Sequence, residues 1–140
     1  MPMVMNNGYQ QYKKTQVDTA SQGKLIVMLY DGAIRFVNIA IEAMPTKNIE
    51  KIHNNILKAQ EIINELISSL NMDVGDISQK LFSLYMYMNK RLMDANIQKD
   101  AAPLIEVRKY LMELRDAWQV AGNTVGNDPN HHYPGVNIAT

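Results

Sequence analysis

The chain has 140 residues, with 14 basic and 14 acidic side chains spread along it, ten methionines and no cysteine. This length predicts one domain with a buried core, and the balanced charge lacks the basic patch that nucleic acids or anionic membranes select. The absence of cysteine excludes disulfides, no window is apolar for long enough to span a bilayer, and the N-terminus does not resemble a signal peptide, so we expect a cytosolic protein.

The first long helix is predicted over residues 22–44, with Ser21 as its N-cap and Pro45 as its stop signal. Its apolar residues recur at helical spacing and form two neighbouring stripes. The first stripe contains Leu25, Leu29, Phe36, Ala40 and Met44, and the second contains Ile26, Tyr30, Ala33, Val37 and Ile41.

The second helix is predicted over residues 47–71, and a break follows at residues 71–75. Its apolar residues are spaced alternately three and four apart, which is an unbroken heptad seam of the kind that closes helix bundles. The seam contains Ile49, Ile52, Ile56, Ala59, Ile63, Leu66 and Leu70.

The third helix is predicted over residues 77–97, with Asp76 as its N-cap and Gln79 three residues further on as a variant of the capping box. Its inward positions are Leu81, Leu84, Met88 and Ala95, and Arg91 interrupts them. The fourth helix is predicted over residues 101–121, with Asp100 as its N-cap. Its seam contains Leu104, Val107, Leu111, Leu114, Trp118 and Ala121.

Four helices of similar length with short connections predict an all-α fold, an antiparallel four-helix bundle. We expect a single domain over residues 1–121, made of an N-terminal arm over residues 1–20 with a short helical turn and the bundle over residues 21–121. Residues 122–140 are rich in Gly, Asn and Pro and predict a flexible, disordered tail.

The third and fourth helices carry more apolar surface than a bundle core requires. Phe82, Met86 and Met93 lie opposite the inward face of the third helix, and Ile105 and Met112 lie seven apart on a flank of the fourth. An apolar, methionine-containing groove suits an amphipathic helix from a partner, so these five residues are candidate partner contacts. Isolated apolar residues on a surface are ordinary, and a wider core is the alternative explanation for the flank positions.

No motif in the chain indicates catalysis. Residues Glu50 and His53 form one Glu-x-x-His motif, whereas a di-iron bundle needs two, and the other histidines, His131 and His132, fall in the tail. We therefore expect no enzyme activity, no metal and no cofactor. A metal-binding helical bundle and a self-associating helical scaffold remain as alternative functions.

Five segments of the chain form a recognisable series. The first two are YQQYKKTQVDTAS at residues 9–21 and LIVMLYDGAI at residues 25–34. The others are KAQEIINEL at residues 58–66, LYMYMNKRL at residues 84–92, and residues 107–118, which end in LRDAW. Taken in order, these segments resemble the flagellin-specific export chaperones, the FliS family. A departure is Gln22-Gly23, where many members carry proline and an acidic or polar residue.

The resemblance implies a cytoplasmic chaperone that binds the disordered C-terminal segment of flagellin, prevents premature polymerisation and delivers it to the cytoplasmic platform of the export gate. The partner chain is implied to wrap the bundle, and the arm with Tyr9 and Tyr12 to cover part of the site as a displaceable lid. Tyr30 and Asp31 fall in the family block, where a structural role and a contact role are both open. We expect the free protein to be a monomer or a weak homodimer.

Overall fold

The computed structural model describes the backbone of residues 7–125 and the side chains of residues 22–73 and 75–121. Four helices account for most of this part: α1 (Asn7–Ala43), α2 (Ile49–Ser68), α3 (Asp76–Gln98) and α4 (Ala101–Val125). A 3₁₀ turn at Met72–Val74 lies between α2 and α3. The predicted all-α fold class is confirmed.

The helices form a four-membered ring, because α1 and α3 each pack against both α2 and α4. Contacts between side chains show that α1 and α4 are antiparallel: Asp31 bonds to Arg115 and Asn38 bonds to Arg108, so residue numbers rise along one helix as they fall along the other. The same holds for α2 and α3, where His53 lies opposite Asn96 and Gln60 lies opposite Asn89. The predicted four-helix bundle is therefore confirmed.

The start predicted for the first helix is wrong. The helix begins at Asn7, so Ser21 lies inside it and is not its N-cap. Between Gly8 and Gly23 the sequence contains neither glycine nor proline, and nothing there ends a helix once it has begun. At 37 residues, α1 is about 55 Å long at 1.5 Å per residue, far longer than its neighbours.

The second helix begins two residues later than predicted, at Ile49, and the third has a different N-cap from the predicted Asp76. Asn48 caps α2, with its side chain accepting a hydrogen bond from the backbone N–H of Lys51 at 3.1 Å. Helix α3 already includes Asp76, and its N-cap position is Gly75, which has a φ of 104° and no side chain to form a cap. The predicted capping box of Asp76 and Gln79 is therefore wrong.

The fourth helix begins as predicted and ends later. Asp100 Oδ1 accepts a hydrogen bond from the backbone N–H of Ala102 at 3.0 Å, which is the predicted N-cap contact. Lys99 has a φ of 52°, a left-handed conformation that lets α3 turn into α4 across two residues. Helix α4 continues to Val125, past the predicted end at residue 121, and the rest of the predicted tail, residues 126–140, lies outside the described residues.

The core follows the predicted seams with a few differences. Its fully buried large side chains come from all four helices: Tyr30, Val37, Ile52, Ile56, Ile63, Leu66, Tyr85, Met88, Leu92, Leu104, Val107 and Leu111. Ile49, the first residue of the α2 seam, is exposed because α2 begins there. Leu81 and Leu84 are only partly buried, and Tyr85, which lies beside them, fills the core instead.

A close approach joins α1 and α2 on the side of Gly32. A Cβ atom at Gly32 would lie 3.1 Å from Ile62 Cδ1, so the missing side chain lets the two helices come together. One turn further along, the Lys58 ammonium of α2 lies 5.4 Å from the ring centroid of Phe36. This edge of the bundle is closed by short contacts between the two helices.

A polar cluster lies within the core. The hydroxyl groups of Tyr30 on α1 and Tyr85 on α3 share a hydrogen bond across the diagonal of the bundle, and the Trp118 side chain of α4 also bonds to Tyr30. Burial raises the pKa of Tyr85 to about 12, and burial and the neighbouring Tyr85 raise the pKa of Tyr30 well above its ordinary value. The cluster links three helices, two of which do not otherwise pack together.

The tyrosine pair predicts a loss of stability at high pH. An unfolded tyrosine loses its proton near pH 10, whereas the buried pair in the folded protein keeps its protons. The unfolded state therefore binds fewer protons than the folded state at high pH. As a result, the free energy of unfolding falls as pH rises from about 10 to 12. Tyr85 alone accounts for up to about 3 kcal/mol of this fall. Urea unfolding at pH 9, 10 and 11 measures it, and a Tyr30→Phe/Tyr85→Phe variant with the same pH dependence would contradict the assignment.

Candidate functional site

A row of side chains along α3 carries the exposed apolar residues predicted on that helix. Phe82, Met86, Asn89, Met93 and Asn96 are spaced 4, 3, 4 and 3 apart, so they lie along one face of the helix; we call them the α3 row. Phe82, Met86 and Met93 are 39%, 49% and 51% exposed, and they lie along about 16 Å of helix. The three residues lie on the surface of the bundle and not within its core.

The two asparagines of the α3 row show which neighbour the row faces. The amide nitrogen of Asn89 donates to Asn64 Oδ1 of α2 at 2.9 Å, and the backbone carbonyl of Asn89 accepts from the Gln60 side chain at 3.3 Å. Asn96 bonds to the His53 ring at 2.9 Å. The α3 row therefore runs along the outer side of the seam between α2 and α3, which we call the α2–α3 edge.

Helix α2 adds an apolar residue to this edge. His53, Leu57, Gln60 and Asn64 are spaced 4, 3 and 4 apart, and all but Leu57 bond to α3. Leu57 is exposed and falls between the His53 and Gln60 contacts, at the level of Met93. The position of Leu57 on the α2–α3 edge could not be predicted from the sequence, because this residue lies outside the heptad seam of α2.

The contacts that close the α2–α3 edge are polar and uncharged, since the side chains that connect the two helices are amides and one histidine. Charged groups lie beside these contacts: Lys99 bonds to Asn96 at one end of the α3 row, and Lys90, one turn from Met86 and Met93, is paired with Asp94. Asn89 Oδ1 is buried and has no hydrogen-bond partner among the described residues. An apolar partner surface can approach the α3 row without breaking an ion pair between the two helices.

A second row lies along α4 and contains the other two predicted contacts. Ile105, Arg108, Met112 and Arg115 are spaced 3, 4 and 3 apart; we call them the α4 row. Ile105 and Met112 are both exposed and line a shallow surface hollow together with Arg108, Lys109, Glu113 and Asp116. Apolar and charged residues alternate along this row.

The arginines of the α4 row bond to α1. The Arg108 guanidinium donates to Asn38 Oδ1 at 2.8 Å, and the Arg115 guanidinium donates to Asp31 Oδ1 at 3.0 Å. The α4 row therefore follows the α1–α4 edge. In the ring of helices this edge lies opposite the α2–α3 edge, so the five predicted contacts form two separate surfaces and not one groove.

The remaining predicted site residues fall in different places. Asp31 is half-exposed on the α1–α4 edge, whereas Tyr30 is fully buried. A surface contact by Tyr30 is incompatible with this burial, so of its two possible roles the structure supports the structural one. The backbone of Tyr9 and Tyr12 forms part of α1, but their side chains are not among those that the structure describes.

A charged and aromatic cluster closes the edge between α3 and α4. Glu106 accepts hydrogen bonds from the Tyr87 hydroxyl and from Arg91 Nε, both at 2.7 Å, and Tyr110 meets the Tyr87 ring edge-to-face at 6.3 Å. The hydrogen bond from Tyr87, followed by that from Arg91, lowers the pKa of Glu106. Arg91, which interrupts the seam in the sequence, thus turns to α4 and joins the two helices.

Metal ligation and membrane spanning find no support in the described part of the chain. Its described side chains contain no group of three or more His, Cys, Asp or Glu residues that could hold a metal ion. His53 of the Glu-x-x-His motif is exposed and bonds to Asn96. None of the helices within residues 7–125 is both long and apolar enough to cross a bilayer.

Comparison with known proteins agrees with the resemblance seen in the sequence. The family model for the flagellar protein FliS matches residues 5–125. The flagellar secretion chaperone FliS of Bacillus subtilis is 39% identical over 119 residues, which are 85% of this chain and 89% of that protein. The FliS proteins of Vibrio cholerae and Escherichia coli are 36% and 33% identical, and the matches cover 81% and 84% of this chain and 88% and 90% of those proteins.

The fold defines the class of the protein: an all-α, antiparallel four-helix bundle, here with one row of exposed apolar residues on each of two opposite edges. Within that class, the chain belongs to the FliS family of flagellar secretion chaperones. The family resemblance predicted from the segments at residues 9–21, 25–34, 58–66, 84–92 and 107–118 is confirmed.

Proposed function

We propose that this protein binds the disordered C-terminal segment of flagellin in the cytosol, prevents its polymerisation and delivers it to the cytoplasmic platform of the export gate. The family membership supports a chaperone of flagellar secretion. The observation that carries the proposal is the exposure of Phe82, Met86 and Met93 in a single row beside Leu57.

The α2–α3 edge suits an amphipathic helix. Its apolar residues extend over about 16 Å, which corresponds to three turns of a docked helix. Fully burying a Leu, Phe or Met side chain is worth about 1.5–3 kcal/mol, and these side chains are already half-buried, so each contributes roughly 1 kcal/mol on docking. No single contact dominates, and affinity requires the whole row.

A partner that uses both edges must wrap the bundle. The α2–α3 and α1–α4 edges lie on opposite sides, and a path between them around the outside crosses two helices, each about 10–12 Å across. This crossing takes at least about seven extended residues at 3.3 Å per residue. A disordered chain that folds as it binds can supply two docking segments and such a connection, whereas a rigid domain cannot.

The lid role of Tyr9 and Tyr12 requires a change in α1. In this structure the α1 helix continues without a break from Asn7 into the bundle. An arm that covers the side of the bundle must leave this helix, and Gly23 is the weakest place because glycine costs up to about 1 kcal/mol more than alanine within a helix. We propose that the arm exchanges between a continuous helix and a folded-back lid.

Isothermal titration calorimetry with the C-terminal segment of flagellin from the same organism tests the proposed function. We expect saturable binding with a negative heat-capacity change, and a gain of helix in the circular dichroism of the mixture. A Tyr12→Ala variant is expected to bind more tightly if the arm covers the site. No heat and no gain of helix with the unmodified protein would refute the proposal, and a stable dimer that the segment leaves unaltered would favour a self-associating scaffold.

A further inference from the structure

The methionines of the α3 row are the residues of this surface that can be modified by oxidation. The chain contains no cysteine, so methionine thioethers are its only oxidisable sulfur. Met86 and Met93 are about half exposed, whereas Met88, two residues after Met86 on the same helix, is fully buried. An oxidant in solution therefore reaches the two methionines of the row and not the methionine of the core.

We propose that Met86 and Met93 form a modification site at which reversible oxidation to methionine sulfoxide releases the docked partner from the α2–α3 edge. This inference rests on the proposed function. It assigns to the two side chains a regulatory role in addition to their role as contacts.

The oxidation is a two-electron step with a peroxide as the oxidant. A lone pair of the methionine Sδ attacks one oxygen of hydrogen peroxide, the O–O bond breaks, a sulfur–oxygen bond forms, and the second oxygen leaves as water after proton transfer. Methionine sulfoxide reductases reverse the change, because a dithiol reductant becomes a disulfide while the sulfoxide oxygen leaves as water.

The donors nearest to a sulfoxide oxygen in the α3 row are already engaged, and Lys90, which lies one turn from both methionines, bonds to Asp94 at 3.4 Å. The amide nitrogens of Asn89 and Asn96, which flank Met93 in the row, both bond to α2. Asn89 Oδ1 has no partner among the described residues and is itself an acceptor. A sulfoxide dipole covered by an apolar partner helix therefore loses most of its water and competes for donors that already have partners, which opposes docking.

The α4 row has two cations one turn before its methionine, whereas the methionines of the α3 row have one within a turn, Lys90. Arg108 and Lys109 lie one turn before Met112 and line the same hollow, and both carry N–H donors. A sulfoxide at Met112 can accept from either of them. Oxidation is thus expected to weaken the α2–α3 edge more than the α1–α4 edge.

The experiment treats the chaperone alone with hydrogen peroxide, removes the peroxide with catalase, and then titrates the flagellin C-terminal segment. Peptide mapping by mass spectrometry is expected to show a gain of one oxygen at Met86 and Met93 and none at Met88. Binding is expected to weaken by about tenfold or more, because each unpaired polar group is buried at a cost, and to return after treatment with the two reductases.

Two leucine variants identify the site, since leucine conserves the volume and apolar character of methionine and resists oxidation. Met86→Leu/Met93→Leu is expected to keep its affinity after peroxide. The matched control Met28→Leu/Met72→Leu removes two other exposed methionines and is expected to remain as sensitive as the unmodified protein.

Each outcome decides the inference. Affinity that survives oxidation of the unmodified protein, or that falls equally in Met86→Leu/Met93→Leu, overturns the oxidation site and leaves the proposed function standing. No binding before oxidation overturns the proposed function and the inference with it. A change in thermal unfolding after peroxide treatment would attribute the loss to the fold and overturn the docking site as its cause.

Discussion

A Met86→Asp/Met93→Asp variant is expected to bind the C-terminal segment of flagellin at least about a hundredfold more weakly than the unmodified protein, with its fold intact. Docking would bury two carboxylates in an apolar contact, and Lys90, which lies one turn from both positions and is paired with Asp94, replaces only part of their hydration. A hundredfold loss corresponds to about 2.8 kcal/mol, which is modest for two desolvated charges. Calorimetric titration measures the loss, and circular dichroism checks the helix content.

The matched control compares one added carboxylate at two positions of α3: Met86→Asp alone, within the α3 row, and Ser83→Asp, outside it. Ser83 is exposed and lies outside the α3 row, one turn before Tyr87 on the side that faces α4. Ser83→Asp is expected to bind within about threefold of the unmodified protein, as surface substitutions ordinarily do. Equal losses in Ser83→Asp and in Met86→Asp would show that charge and not the row governs binding.

The opposite edge distinguishes a wrapped partner from a single docked helix. If the flagellin segment covers both edges, Ile105→Asp/Met112→Asp weakens binding as well. The effect is expected to be smaller than at the α2–α3 edge, because charged side chains (Arg108, Lys109, Glu113 and Asp116) already line this hollow and a partner meets a polar surface there. Unchanged affinity in this variant would confine docking to the α2–α3 edge.

The heptad seams of α2 and α4 predicted the fold class and most of the core, because a repeat of three and four fixes which side of a helix is buried. The start of α1 was not predictable from Ser21, since a serine caps a helix only where the preceding chain leaves helical geometry. Nothing between Gly8 and Gly23 forces that departure. The burial of Tyr85 was not predicted for a different reason. A tyrosine hydroxyl favours a position at the protein surface, and Tyr85 can be buried in the core because its hydroxyl has a buried hydrogen-bond partner, the hydroxyl of Tyr30.

The exposed candidates on α3 and α4 followed from the sequence, whereas their separation onto opposite edges did not. Helical spacing gives the angle of a residue around its own axis but not the identity of the neighbour on that side. Here the neighbour is shown by the polar residues within each row, Asn89 and Asn96 toward α2 and Arg108 and Arg115 toward α1. Polar residues between apolar ones therefore locate the two surfaces.

The same polar contacts explain why the rows remain exposed in the free protein. Each edge is closed at intervals by hydrogen bonds between helices, so the apolar residues between them are held on the outside and cannot turn inward to widen the core. The α2–α3 edge uses neutral amides and a histidine for this, and the α1–α4 edge uses arginines. The two edges thus offer a partner two chemically different surfaces on one rigid frame.

The largest loss of stability is expected at Tyr30. Tyr30→Ala removes a fully buried ring and leaves a cavity between the helices, which costs about 3–5 kcal/mol for an aromatic side chain. It also deprives Tyr85 and Trp118 of their shared hydrogen-bond partner. Since a domain of this kind is stable by about 5–15 kcal/mol, the variant is expected to be largely unfolded at moderate urea concentrations.

Two further variants separate the ring from its hydroxyl. Tyr30→Phe keeps the ring and is expected to lose only about 1–3 kcal/mol, the cost of leaving buried polar groups unpaired. Tyr30→Phe/Tyr85→Phe removes both hydroxyls, and its loss is expected to be smaller than the sum of the two single losses. Additive losses in urea unfolding would show that the two hydroxyls do not interact, and would assign the stability of this part of the core to packing alone.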